Sequence, residues 1–385
     1  PYDWSGQCSA YVPDDNFEQA LIDLGYDDTL NDSVYTPNTI GVTSLDVANK
    51  GISDLTGIEV FNDLDYLNCS YNELTSLDIS SNTALTHLEC HVNELASLDL
   101  STNTALTYLK ARNNQLTTLD VSANTSLTTL DCSTNQLASL DVSANTALRN
   151  LHCDANQFTS LDVSNNTALY QLTCGNSPLT SLDVSNNTSL NSINVGNNAL
   201  TSLDLSSNTA LTWLGCHLNE LTTLDLSSNI ALTTLYAQSN QLFHLNMKNG
   251  VTDQLTEFNA TGNSFDCIEV NAEDVDYATE NWTYANGNID EGVGFSVVCV
   301  PEGYTYVQDN NFEQALIDLG YDDGLNDFVL TENISGVTSL NVDNKSISDL
   351  TGIDAFTAIT YLNCRYNQLT SLDLSSNTAL TALHC

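Results

Sequence analysis

A 21-letter phrase, LTTLDVSANTSLTTLDCSTNQ over residues 116–136, recurs in nearly the same spelling on both sides of itself. Units of this length begin at Leu64, Leu85, Leu106, Leu127, Leu148, Leu169, Leu190 and Leu211, after a 22-residue unit that starts at Val42. A 23-residue unit from Leu232 and a partial one from Leu255 close the run, which makes roughly ten turns over residues 42–266. So short a unit cannot enclose a core of its own. It folds only by stacking on its neighbours, so the chain must form a solenoid with something covering each end.

Within a unit, as in LTHLECHVNEL over residues 85–95, the constant letters read L-x-x-L-x-C-x-x-N-x-L. Alternation turns Leu88 and Cys90 inward on a short strand, Asn93 turns the backbone, and Leu95 and Leu98 pack from the return side. Asn72, Asn93, Asn114, Asn135, Asn156, Asn198, Asn219 and Asn240 are expected to form a ladder of side-chain amides bonded to the backbone, which Ser177 interrupts. The second half-unit, L-x-x-L-D-V-S-x-N-T, repeats the spacing and predicts short extended segments on the outer side in place of helices. The whole pattern resembles the leucine-rich repeat over almost the entire chain. That resemblance implies a right-handed, β-rich leucine-rich repeat solenoid, with short parallel strands on the concave face and extended or turn segments outside.

The eleven cysteines divide by position. Cys69, Cys90, Cys132, Cys153, Cys174 and Cys216 lie at multiples of 21 from one another, as do Cys364 and Cys385 further on. Stacked strands stand about 4.8 Å apart with their side chains pointing the same way. A disulfide needs Cβ atoms about 3.5–4.5 Å apart and facing each other, so the column is read as buried free thiols. Cys8, Cys267 and Cys299 stand outside it.

Residues 1–41 form an N-terminal segment and helical cap. In YVPDDNFEQALIDLGYDDTL (11–30), Asp14 or Asp15 is suited to N-cap, Phe17, Leu21 and Leu24 form the apolar stripe, and Gly25 ends the helix. After Phe265 the repeat fails, and residues 267–303 are expected to be a C-terminal cap and linker stapled by a Cys267–Cys299 disulfide. Such a loop closure contributes about 3–4 kcal/mol and implies an oxidising compartment. The chain then starts again. Residues 306–385 match 11–90 at an offset of 295, with 58 identities in 80, so 304–385 read as the cap and first repeats of a second tandem copy.

The helical start followed by ISDLTGIEVF (52–61) resembles the cap and first repeats of bacterial internalin-like surface proteins. The LDVSxNT units resemble those of secreted bacterial leucine-rich repeat proteins. The resemblance implies an exported or cell-surface adhesion or binding protein that takes a protein or carbohydrate ligand through the concave face. It carries over no catalytic motif.

With 49 acidic residues against 7 basic ones and a net charge of -42, the surface repels nucleic acid and anionic lipid. No stretch of about 18 apolar residues predicts a transmembrane segment. The opening PYDWSGQCSA, without Met or a basic stretch, reads as that of a mature or excised fragment.

Chemistry is sought in the outward letters beside the constant ones. His87, His91, Tyr108, Lys110, Arg112, Arg149 and His152 are expected to form one patch, with Trp213, His217 and Tyr236 further along and Tyr66 a further candidate on the same concave face. Aromatics with arginine suit a peptide interface, and aromatic faces with polar neighbours suit a sugar ring. The alternative is drift at positions that packing leaves unconstrained. His87 and His91 lie too far apart along an extended strand to share a metal ion directly. The column Asp78, Asp99, Asp120, Asp141, Asp162, Asp183, Asp204 and Asp225 is read chiefly as turn-capping carboxylates, with calcium as the other reading. Asp27, Asp28 and Asp32 resemble half a calcium loop without its D-x-D-x-D-G spacing. Ala96, Ala138 and Ile230 break the Thr/Ser columns that an ice-binding face would need. No cofactor and no catalytic residue is expected, so the chain is read as a non-enzyme. The alternative function is structural: a spacer or filament subunit of tandem 295-residue domains that self-associates through its ends.

Overall fold

The computed structural model describes residues 8–385, so the first seven residues of the expected cap segment lie outside the described residues. It divides into two compact units, one ending at Val297 and the other covering Val298–Cys385. No helix among the described residues is long and apolar enough to cross a membrane.

In the first unit a three-residue strand recurs once per turn, from Ser44–Asp46 through Tyr66–Asn68 and His87–Glu89 to Glu257–Asn259. These strands form one 11-stranded sheet in chain order, paired in parallel throughout. The constant period sets the register. Leu67 lies opposite Leu88, and Leu88 opposite Leu109, so one leucine file fills the interior with no exposed surface. The fold is therefore the expected leucine-rich repeat solenoid.

Two asparagine ladders, one of them unforeseen, hold the turns together. Asn93 is typical of the first: its Nδ2 donates to Cys69 O and Cys90 O at 3.0 and 3.1 Å, and its Oδ1 accepts from Leu74 N. Ser177 breaks the file as expected and substitutes with its hydroxyl, which accepts from Asn156 N. The second ladder comprises Asn82, Asn103, Asn124, Asn145, Asn166, Asn187, Asn208 and Asn229, all without exposed surface. Each Nδ2 bonds carbonyls of the preceding turn, as Asn145 does to Val121 O and Asn124 O at 2.9 Å. Between the ladders, the column aspartates close Asx turns, with Ser122 N donating to Asp120 Oδ1 at 2.9 Å. The expected extended outer segments therefore run mostly as turns. They pair into a sheet only in Thr223–Asp225, His244–Asn246, Cys267–Glu269 and Gly294–Ser296.

The column cysteines are free, with no exposed surface from Cys69 to Cys216 and Cys364 buried too, but Cys385, expected to be buried, is exposed one residue past the last strand of its sheet. Burial raises the thiol pKa values of the buried ones, those of Cys90 and Cys216 to about 12.

Helix Asp15–Asp23 covers the N-terminal end. Asp14 caps it through Oδ1, which accepts from Asn16 N and Phe17 N, while Oδ2 accepts from Ser53 N and Asp54 N and ties the cap to the first turn. Phe17, Ala20 and Leu21 are buried, but Leu24 is 44% exposed and is not part of the stripe. The helix ends at Asp23, so Leu24 stands at the C-cap, turned to solvent before the left-handed Gly25. Glu18, by contrast, is fully buried, with Oε1 accepting from Asn31 N and Ser33 N.

At the other end, helix Val275–Asn281 leads into Trp282, which stacks on Phe258 at 4.1 Å and meets Phe295 edge-on. Cys267 and Cys299 are disulfide-bonded, as expected.

The second unit repeats the start. An antiparallel pair, Tyr304–Tyr306 with Phe328–Leu330, and helix Asn310–Asp318 precede a three-stranded parallel sheet of Ser339–Asn341, Tyr361–Asn363 and Ala382–His384. Thr331–Ser335 is an α-helix where the first copy has only a 3-10 turn, Thr36–Thr39, which contains Pro37.

Candidate functional site

The outer residues of each strand project from the sheet face opposite the leucine core, so residues 21 apart in sequence become neighbours. His87 lies between Tyr66 and Tyr108 in the pairing register. Its ring is sandwiched between theirs, at 4.9 Å from Tyr66 and 4.0 Å from Tyr108, the latter nearly parallel at 4°. Offset or parallel stacks of this kind cover ring faces and leave edges to solvent. Burial raises the Tyr66 and Tyr108 hydroxyl pKa values, with the Glu89 charge adding to it, so both phenols stay protonated.

Glu89 is the hub of this stretch. Its carboxylate lies 3.4 Å from His87 Nε2, 3.6 Å from His91 Nδ1 and 3.6 Å from Lys110 Nζ. Arg112 Nε stands 3.9 Å from Asp131 Oδ2. The two histidines, expected to be far apart along an extended strand, thus converge on one carboxylate. The strand stops at Glu89 and the chain turns back through left-handed Val92. His91 does not face solvent as the pattern suggested. It is 4% exposed, under the edge of Tyr71 at 5.1 Å, and burial together with nearby Lys110 depresses its pKa, keeping it neutral near pH 7.

His152 belongs to a separate polar chain. Its Nδ1 lies 3.1 Å from Thr173 Oγ1, and Thr173 donates in turn to Asp154 Oδ2, whose Oδ1 accepts from Gly175 N at 2.8 Å. Arg149 is exposed at the edge, one residue before the Asn150–His152 strand.

Downstream, Trp213 and Tyr236 meet at 5.9 Å in a tilted pair. Three glycines shape the surface here. A β-carbon at Gly215 would stand 2.6 and 2.9 Å from Cη2 and Cζ3 of Trp213, and one at Gly196 would stand 2.6 Å from Nε2 of His217. Both rings therefore lie over bare backbone. A β-carbon at Gly175 would come within 2.7 Å of Gly196 O. Burial lowers the His217 pKa, so this ring is neutral as well.

Among the expected residues, the structure brings together Tyr66, His87, His91, Tyr108, Lys110 and Arg112, and separately Trp213, His217 and Tyr236. Sequence reasoning missed Glu89, Asp131 and the three glycines. All of them stand in the outward columns, where a carboxylate beside Lys or a glycine amid polar letters was the available signal.

Of the residues in the half calcium loop, Asp27 has its carboxyl pKa raised by burial, and only Asp32 joins a carboxylate cluster. That cluster is Asp15, Glu18 and Asp32, with ligand atoms within 4.8 Å of one another. The second copy has Asn310 in place of Asp15, and there burial raises the Glu313 pKa to about 7.

No family model matches the chain. A 73-residue stretch, 19% of the chain, is 38% identical to Internalin J of Listeria monocytogenes serotype 4b (strain F2365) and spans 8% of that protein's length. Among solved structures, the functional domain of InlJ from Listeria monocytogenes, described as including a cysteine ladder, is similar over 97% of this chain and 75% of that one. Identity there is 31% and the TM-score 0.65. InlF, an internalin of Listeria monocytogenes str. 4b F2365, matches over 97% of this chain and 95% of its own at 20% identity and a TM-score of 0.55, a likeness of fold alone.

Proposed function

Because the chain belongs to the internalin-like leucine-rich repeat proteins, we propose that it is an extracellular or cell-surface adhesion protein that engages its ligand through the strand face of the first unit. The scaffold itself is that of a protein-interaction repeat protein, whose stacked strands build an extended binding surface. One observation carries the finer reading: the ring sandwich of Tyr66, His87 and Tyr108 beside the Glu89 hub. Two of the chain's 7 basic residues, Lys110 and Arg112, stand within ion-pair distance of carboxylates on this face. A surface shaped only by drift would not hold aromatic rings and paired charges in one register. Rings and guanidinium groups held in place beforehand are what interface anchors require.

The test is capture of ligand by the whole chain from cell-surface extracts, with Arg112→Ala, Glu89→Gln and Trp213→Ala beside the unchanged protein. Capture weakened tenfold or more by the upstream pair is the expected result. Equal capture by all variants overturns the strand-face reading. Long regular fibres formed without ligand would instead favour the spacer or filament reading.

A further inference from the structure

We propose that the downstream part of the strand face, centred on Trp213, is a subsite for a pyranose ring of an uncharged glycan. This rests on the strand-face reading above and assigns a ligand class to one part of it. The indole packs close against the strand because Gly215 has no side chain: any β-carbon there would meet Cη2 and Cζ3. The indole is therefore seated against backbone while the residue stays partly exposed to solvent. That contrasts with the upstream sandwich, where Tyr66 and Tyr108 cover both faces of His87.

The surroundings are neutral. From Gln171 to Tyr236 the outward strand residues, Gln171, Thr173, Ser192, Asn194 and Tyr236, carry no charge; Glu257, paired with the buried Thr234 one strand further on, is the carboxylate that bounds the stretch. His217 is kept uncharged by burial, and Asp154, at the margin, has both oxygens engaged by Thr173 and Gly175 N. On a chain of net charge -42, such a stretch stands apart. Asn194 uses Oδ1 to accept from Gly196 N at 3.0 Å, which holds its amide on the strand next to Trp213. A pyranose has one face of C–H bonds, which suits the negative face of an indole, and a rim of hydroxyls, which suits amides and hydroxyls. A charged sugar or a phosphate would find no cation here. A proline-rich peptide also stacks on indole, but it prefers several parallel aromatic ridges, and here Tyr236 is tilted 54° to Trp213.

The experiment is binding of the whole chain to a printed array of defined neutral and sialylated oligosaccharides, followed by fluorescence titration with the neutral glycan that gives the strongest signal. The expected result is binding confined to neutral glycans. Trp213→Ala should weaken it at least tenfold and Trp213→Phe less, while Gly215→Val should abolish it with the indole still in the chain. Asn194→Asp, a polar surface change that leaves the core intact, should weaken it several-fold. A blank array, binding confined to sialylated glycans, or neutral binding indifferent to both Trp213→Ala and Asn194→Asp would overturn the proposal. Capture of protein that depends on Arg112 alongside a blank array would remove only this subsite. Protein capture lost in Trp213→Ala alongside a blank array would assign the platform to a polypeptide.

Discussion

Two stretches of one sheet face, centred six turns apart at His87 and Trp213, share backbone, register and interior, yet they differ in what a ligand would meet. Upstream, Glu89, Lys110, Arg112 and Asp131 pair charges around a closed stack of rings. Downstream, Gly175, Gly196 and Gly215 clear the backbone, and the rings of Trp213 and His217 pack close against it. The difference teaches that the solenoid separates its tasks by letter. Inward and turning residues fix geometry identically in each turn, and outward ones can change from a charged surface to a neutral one without disturbing it.

The comparison would break first if the interior were not shared. Asn145 sits in the buried ladder between the two stretches. Asn145→Ala leaves the carbonyls of Val121 and Asn124 without their donor, and should cost about 2–3 kcal/mol, read by urea denaturation. Hydrogen exchange should then show protection falling in both stretches together. Loss confined to one would mean that the turns are energetically separate.

A smaller effect of opposite sign tests the strand ends. Val92 upstream and Leu218 downstream both occupy left-handed backbone, at φ 56 and 55, where bulky residues are strained. Val92→Asn should stabilise the chain by about 1 kcal/mol and Leu218→Asn by somewhat less, since leucine is not β-branched. Unequal signs would show that one end carries a compensating contact.

The smallest effect per residue is that of pH on the outer turns. Ser side-chain and backbone donors hold the Asp99, Asp120, Asp141, Asp162 and Asp183 carboxyls below their ordinary value of 3.8. A depressed folded pKa gives stability that is complete above the unfolded value and is lost as pH falls through the folded one. Denaturation midpoints should therefore be level above about pH 5 and drop below about pH 4. Ser122→Ala should shift the drop slightly upward in pH.

Much of this was legible because a strict period does what an alignment of relatives would do: comparing turns shows which letters are constrained. The leucine file, the first asparagine ladder, the free cysteine column and the 267–299 staple all follow from it. The second asparagine ladder was in the same repeat, but its letters read as turn residues and gave no sign that Nδ2 reaches inward. Glu89 was passed over because its role depends on three partners that converge only when the strand ends and folds back. His91 reads as solvent-facing only when alternation is carried past the strand's last residue. Helical spacing places Leu24 in the core, but it stands one residue after the helix stops. Gly215 speaks only through Trp213, two residues away, and a column read downward never compares the two.

The buried thiols set an order of events. Six cysteines from Cys69 to Cys216 stay reduced in the folded array, while Cys267 and Cys299 are joined. An unfolded chain exposes all of them to the same oxidant, and nothing in a thiol's own chemistry selects the right pair. Stacking of the turns must therefore outrun oxidation, each new turn withdrawing its cysteine from reaction before the terminal pair closes. Any turn that opens later in an oxidising medium would be trapped by a wrong bond, so for this protein a lapse in folding becomes a covalent lesion.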